Sequence, residues 1–235
     1  MQIFSLWMRQ HRWTLLGALL TAFFVAPANP ARAQLDPRRG PPGCVPVSER
    51  QMERGCYIVL STQLGTLPEQ QVYWHINAYQ TRAEAEVAKG PHGSVVEALG
   101  RIWLMNIGNA TYRAPGGEHV GRVGPLATHA GVNYTAAYME GIMLPGAETG
   151  IHHHPGPEAI FTLAGEECME TETDKLSGRA GGTPIIVPAG VQHKLTIVGT
   201  VERRSLALVL HDSSQPWAIR THAHSWTPKG LCKVG

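Results

Sequence analysis

After Pro125 the sequence breaks into short apolar runs separated by Gly and Pro, and no helix-length periodic segment interrupts them. Residues 132–144 (VNYTAAYMEGIML) read as one long strand, followed by strands at 158–164, 184–187, 192–197 and 203–210. Short strands with turn signals between them point to a sandwich or barrel. The preceding third has a different texture. Residues 57–64 and 71–77 are strand-like in composition. Thr81-Arg-Ala-Glu84 forms a capping box that opens a short helix ending at Gly90. Residues 94–99 and 101–107 are then further strands. The fold class is therefore mainly β, with residues 48–115 as an α+β extension and 116–235 as the β-rich body. No catalytic motif occurs in the extension, and the chain shows no internal repeat.

The N-terminus is of another kind. Residues 1–13 carry Arg9 and Arg12 and no acid, residues 14–26 (TLLGALLTAFFVA) are largely apolar and uncharged, and Ala31-Arg32-Ala33 follows. A positive start, a short apolar segment and an Ala-x-Ala end are the three parts of a secretory signal. The apolar run is shorter than the about 20 residues a membrane span requires. We expect cleavage after Ala33 and an exported protein, periplasmic or secreted, with no membrane attachment once the signal is gone; the alternative is an uncleaved N-terminal anchor. Residues 34–47 (QLDPRRGPPGCVPV) are rich in Pro and Gly and read as a linker or wrapping arm, with Cys44 placed to pin it.

Loss of residues 1–33 removes Arg9, Arg12 and Arg32 and no acid, leaving 20 − 3 = 17 basic against 18 acidic residues. No basic stripe remains, so nucleic-acid binding has no electrostatic support. The rest of the chain is long enough for one core of its own. Cys44, Cys56, Cys168 and Cys232 make an even number, which in an oxidising compartment implies disulfides. Four cysteines allow three connectivities, of which Cys44–Cys56 with Cys168–Cys232 is the working guess.

Chemistry concentrates in two segments. In Gly146-Ala-Glu-Thr-Gly-Ile-His152-His-His154-Pro-Gly-Pro-Glu158, side chains two apart on an extended segment share a face. His152 and His154 can thus face one metal while His153 points away. The Pro155-Gly156-Pro157 bend brings Glu158 back toward the same point, and two imidazoles with a carboxylate suit a divalent ion. In Gly182-Thr-Pro-Ile-Ile-Val-Pro188-Ala-Gly190-Val-Gln-His193, a strand leads into a type I turn with Pro188 second and Gly190 fourth. That turn would present His193 from another strand.

These segments resemble the two cupin signatures. Gly146, five residues, His152-x-His154, three residues, Glu158, six residues and Gly165 match the first. Gly182, five residues, Pro188-x-Gly190, two residues and His193 match the second, with Ile197 where the pattern usually has Asn. The resemblance covers residues 116–235. It implies a cupin-type β-barrel (a jelly roll) of the single-domain kind, exported and bacterial, with His152, His154, Glu158 and His193 as metal ligands. Such proteins often form homodimers through sheet edges or faces.

Three neutral imidazoles and one carboxylate leave a divalent ion with net charge near +1 and with coordination positions open to a substrate. With no thiolate in the set, Fe(II) or Mn(II) fits best, while Ni(II), Zn(II) and Cu(II) are compatible. The leading expectation is an enzyme resembling the cupin dioxygenases, acting on a small molecule with Glu158 in its reaction centre. The alternatives are an exported module that binds or senses a metal or small ligand without turnover, and a metal-dependent isomerase, lyase or decarboxylase. Tyr138 and Glu140 share a strand face. Facing inward they line the cavity, with Glu140 as a candidate base; facing outward they are merely solvated. Phe161 reads as barrel packing. His222-Ala-His224 repeats the spacing without a following carboxylate and reads as exposed. His75, His92, His119, His129 and His211 are isolated and read as structural or solvated.

Overall fold

The computed structural model describes residues 43–67, 71–219 and 226–234. The expected signal, residues 34–42 of the arm and the His222-Ala-His224 pair lie outside them. In chain order the elements are β1 (Val45–Pro46), β2 (Gly55–Thr66), β3 (Gln71–Tyr79), α1 (Arg82–Ala88), β4 (Gly93–Ala98), β5 (Arg101–Gly108) and β6 (Glu118–Ala127). They continue with β7 (Asn133–Met143), β8 (Glu158–Ala164), β9 (Glu166–Thr171), β10 (Lys175–Arg179), β11 (Ile185–Val187), β12 (His193–Val198) and β13 (Arg203–Asp212).

The strands form a six-stranded sheet in the order β1-β2-β7-β13-β8-β11, a three-stranded sheet β10-β9-β12 and a four-stranded sheet β4-β5-β3-β6. Strand alternation shows how these stack. From β7 and β13, Tyr134, Ala136, Tyr138, Leu206, Leu208 and Leu210 pack with Trp74, Ile76, Trp103 and Met105 of the four-stranded sheet. The intervening Ala137, Met139, Met143, Ala207 and Val209 pack with Met169, Leu195 and Ile197 of the three-stranded sheet. The six-stranded sheet is therefore the middle layer, apolar on both faces. That is why β7 reads as a near-continuous apolar run instead of alternating. Each large side chain so buried contributes about 1.5–3 kcal/mol. The six- and three-stranded sheets make the expected jelly roll as an open sandwich: among the described residues no strand hydrogen-bonds the two sheets into a closed barrel.

The boundary expected between residues 115 and 116 cuts across this arrangement. Strand β2 precedes it yet lies in the six-stranded sheet, and β6 follows it yet lies in the four-stranded one. The helix forms as its capping box dictates, with the Glu84 amide donating to Thr81 Oγ1 at 3.2 Å and the Thr81 amide to Glu84 Oε2 at 3.1 Å. Ala85 and Ala88 then seat the helix on Val95 and Leu104. Both disulfides form as guessed, Cys44–Cys56 and Cys168–Cys232. The first ties the arm beside β2, where β1 pairs in parallel. The second holds the C-terminal segment, whose Leu231 amide donates to buried Glu170 at 3.0 Å. Among the described residues no helix is long and apolar enough to cross a membrane.

Candidate metal centre

His152 and His154 lie on the irregular segment between β7 and β8, and Glu158 is the first residue of β8. Residues 146–153 run beside β12 through isolated bridges that pair Glu148 with Thr196 and His152 with His193. Gly156 packs so closely on β13 that a Cβ there would lie 1.9 Å from the Leu210 carbonyl oxygen. The bend between His154 and Glu158 is thus held against the middle sheet, and Glu158 enters β8 opposite Val209. On the other side, the Val191 amide donates to the Pro188 carbonyl at 3.3 Å. Gly190, at φ 78°, therefore occupies the third turn position, not the fourth. A positive φ there belongs to a type II turn and corrects the type I expectation. The Gly190 amide in turn donates to the His154 carbonyl at 2.8 Å, joining the two ligand segments.

His152, His154 and His193 offer ring nitrogens within 4.8 Å of one another. Each Nδ1 faces a backbone carbonyl: Gly150 at 2.9 Å from His152, Trp217 at 2.8 Å from His154 and Val191 at 2.8 Å from His193. A carbonyl only accepts, so each Nδ1 carries the proton and each Nε2 presents a lone pair. The Nε2 atoms of His152 and His193 stand 3.2 Å apart. Two lone pairs facing at that distance repel unless a cation or proton lies between them. Glu158 Oε2 lies 3.2 Å from His193 Nε2 and 3.7 Å from His154 Nε2. Both Glu158 Oε2 and His154 Nε2 are buried without a hydrogen-bond partner. Ligands about 2.1 Å from one ion stand about 3.0–3.4 Å apart in octahedral or tetrahedral arrangements. The two 3.2 Å separations meet that measure and the 3.7 Å one is wider; in kind, three imidazoles and a carboxylate suit a divalent ion.

Protonation agrees with the fit. Burial, aided by His193, lowers the His152 pKa to about 4, and burial also lowers that of His154. Burial works against the Glu158 carboxylate, yet His154 foremost, with His193 and His152, holds it at about 2. His193 moves the other way: against burial, the neighbouring Glu158 carboxylate raises it. The Trp217 ring stacks on His154 at 5.6 Å and 21°.

A cavity of about 150 Å³ opens from this group into the sandwich, lined by Met139, Ile160, Met169 and Leu195 among others and by Arg203 at its other end. Its titratable lining groups among the described residues are His152, His154, Glu158, Glu148 and Arg203. Glu148 pairs with Lys194 at 2.7 Å.

Tyr138 and Glu140 are not among them. Both lie on the face of β7 turned to the four-stranded sheet, Tyr138 beside Trp74 at 6.3 Å between ring centroids. Glu140 is neither in the cavity nor solvated: it is 3% exposed, pairs with Arg50 and accepts the Leu99 amide at 2.6 Å. Leu99 and Gly100 both have positive φ, the type I′ pattern of the β4–β5 hairpin, so Glu140 anchors that turn. Phe161 packs in the same interlayer core. His153 is not part of the group of three converging rings, and its backbone is bridged to Ile219. His75 donates Nε2–H to the Asn109 carbonyl at 2.8 Å. Sequence reasoning did not single out Trp217 or Arg203 or the partner of Arg203, Glu167; the inward positions 203, 205, 207 and 209 of the last strand were the available signal.

No protein-family model matches the chain, and no curated protein matches it. Solved structures that parts of it resemble include Peruvianin-I, a cysteine peptidase from Thevetia peruviana latex, at 21% identity, TM-score 0.31, over 37% of this chain and 56% of that one. Another is a cupin-2 domain containing protein from Shewanella frigidimarina, at 18% identity, TM-score 0.24, over 35% of this chain and 72% of that one. A third is oxalate oxidase in complex with the substrate analogue glycolate, at 19% identity, TM-score 0.30, over 37% of this chain and 45% of that one. The chain spans about half the length of the first and third. Overlaps of this size assign neither family nor activity.

Proposed function

We propose that this chain is an exported cupin that holds one divalent metal ion, Fe(II) or Mn(II) by preference, and turns over a small molecule in a dioxygenase-like reaction. The observation that carries the reading is the convergence of three imidazole lone pairs, each fixed by an Nδ1–H bond to a backbone carbonyl, beside the unpartnered Oε2 of Glu158. His152, His154, His193 and Glu158 would hold the ion. Bound there, it would polarise an oxygen-bearing substrate or activate dioxygen.

What the chain's own groups do follows from the cavity. Its apolar walls exclude water and orient the body of a substrate. Beyond the ligands, its titratable lining is Arg203 and Glu148, and Glu148 is engaged by Lys194. With Glu140 turned away from the cavity, no second free carboxylate among the described residues lines it as a general base. That distribution supports metal-centred oxygen chemistry over isomerase or lyase chemistry. It suits equally a module that binds without turnover.

Oxygen consumption separates the two. Fe(II)-loaded protein is expected to consume oxygen with a catechol- or flavonol-type substrate, and His193→Ala to abolish uptake. Tight binding of the same compounds with no oxygen consumed and no product would replace the enzyme by the binding module. Export is tested apart from this, by N-terminal sequencing of protein from the producing cell: Gln34 is expected first, and Met1 in the mature protein would refute it.

A further inference from the structure

The end of the cavity away from the histidines contains a charge that the metal reading does not use. Arg203 is 3% exposed and pairs with Glu167, which is fully buried and takes a second hydrogen bond, on Oε1, from Thr162. The carboxylate has its counter-ion beside Oε2, without an aligned hydrogen bond there, and Thr162 on Oε1; the guanidinium is left with a whole donor edge unmatched. Among the described residues its Nη1 meets only the Met143 sulfur, at 3.9 Å, and its Nε–H is buried with no partner. A thioether is a weak acceptor. Ser205 Oγ, also fully buried, has no partner either. Both residues line the cavity. Room for the guanidinium comes from Gly141, where a Cβ would lie 2.3 Å from Arg203 Nη1 and 3.2 Å from Ser205 Oγ.

A buried Arg–Glu pair bridging two sheets explains Arg203 Nη2 and Glu167. It does not explain a second donor edge and a serine hydroxyl, left without acceptors among the described residues on two side chains that line a cavity. Unpaired buried donors are costly and mark a place where a ligand completes the bonding. The strands set the spacing. Glu158 lies opposite Val209 on β13, and Ser205 is four residues back along that strand, roughly 13 Å at the rise of an extended chain. Apolar walls occupy the interval: Met139, Ile160, Met169, Leu195 and Ala207.

We propose that the cavity is a two-ended site for an elongated, mostly apolar small molecule. An oxygen group binds at the metal, and a neutral acceptor oxygen, such as a ketone, accepts from Arg203 and Ser205 at the far end. The proposal rests on the metal-centre reading for its first half. Charge decides the second. Glu167 already neutralises Arg203, so a second carboxylate would be buried without a counter-ion, whereas a carbonyl only completes the hydrogen bonding.

Three acids of equal chain length test this by calorimetry on metal-loaded protein: octanoate, 7-oxooctanoate and octanedioate, with metal content measured on each sample. The keto acid is expected to bind roughly tenfold tighter than octanoate, the worth of one hydrogen bond to a charged donor, and tighter than the diacid. Ser205→Ala, and Arg203→Lys, which keeps the charge opposite Glu167 but loses the Nε–H, are each expected to cut that preference to about threefold or less. Equal affinities for keto acid and octanoate on loaded protein, including no binding of either, overturn the proposal. So does a preference that survives both substitutions, or tightest binding of the diacid. A parent that takes up no metal refutes the metal-centre reading instead, and the keto-to-octanoate ratio on that protein still judges the Arg203 end.

Discussion

The buried pair Arg203–Glu167 links the six- and three-stranded sheets across the cavity, and its energetics are separable by substitution. Arg203→Met leaves a fully buried Glu167 with Thr162 as its remaining partner, and Glu167→Gln leaves the guanidinium buried beside a neutral amide. Removing one member of a buried pair costs about 3–5 kcal/mol, because the survivor is an uncompensated charge. Replacing both by neutral groups of similar volume is often close to neutral. The double variant Arg203→Met/Glu167→Gln is therefore expected within about 1.5 kcal/mol of the parent, far from the sum of the single losses. With a urea slope of about 2 kcal/mol per molar, each single variant lowers the unfolding midpoint by about 1.5–2.5 M, and the double by under about 0.8 M. Urea unfolding of the metal-free, disulfide-intact protein, followed by tryptophan fluorescence, measures all four corners of the cycle. Additive losses would refute the reasoning, as would an Arg203→Met loss below about 1 kcal/mol. Either result would mean that water reaches the pair and that the far end of the cavity is not desolvated.

Two further outcomes follow from groups outside the metal centre. Burial lowers the His75 pKa below 6.5 in the fold, so the unfolded chain takes up a proton first as pH falls. Stability is then full above pH 6.5 and declines below it, and His75→Gln should flatten that decline in unfolding curves measured across pH 7 to 5. An unchanged slope would remove His75 as its source. Glu140→Gln should lower stability by about 1–3 kcal/mol through the Arg50 and Leu99 bonds while leaving metal content and oxygen uptake at parental levels. Loss of metal in that variant would contradict the placement of Glu140 away from the site.

The convergence of His152, His154, Glu158 and His193 was legible because fixed spacing is a local property: His152-x-His154, the Pro-Gly-Pro bend and Glu158 lie close in sequence, and His193 follows its turn. The direction in which Tyr138 and Glu140 face was not legible. Both faces of β7 are buried, so alternation along the strand carries no inside–outside signal. Strand β9 was missed because Glu166-Glu-Cys-Met-Glu has the composition of a solvated loop. Its acids are used up by long-range partners, Arg203 for Glu167 and the Leu231 amide for Glu170, which no window of sequence displays. For the same reason β6, with Gly121, Gly124 and Pro125, went unread. Trp217 serves His154 through a backbone carbonyl, a group every residue carries, so residue identity held no hint of it.

Metal content of purified protein, with that of His152→Ala and His193→Ala, tests the central claim most directly. The account predicts about one equivalent of Fe or Mn in the parent and near none in either variant, each retaining the β-rich circular dichroism of the parent. A parent that holds no stoichiometric metal after reconstitution, or variants that keep it, would contradict the metal centre and leave the convergent imidazoles without an explanation.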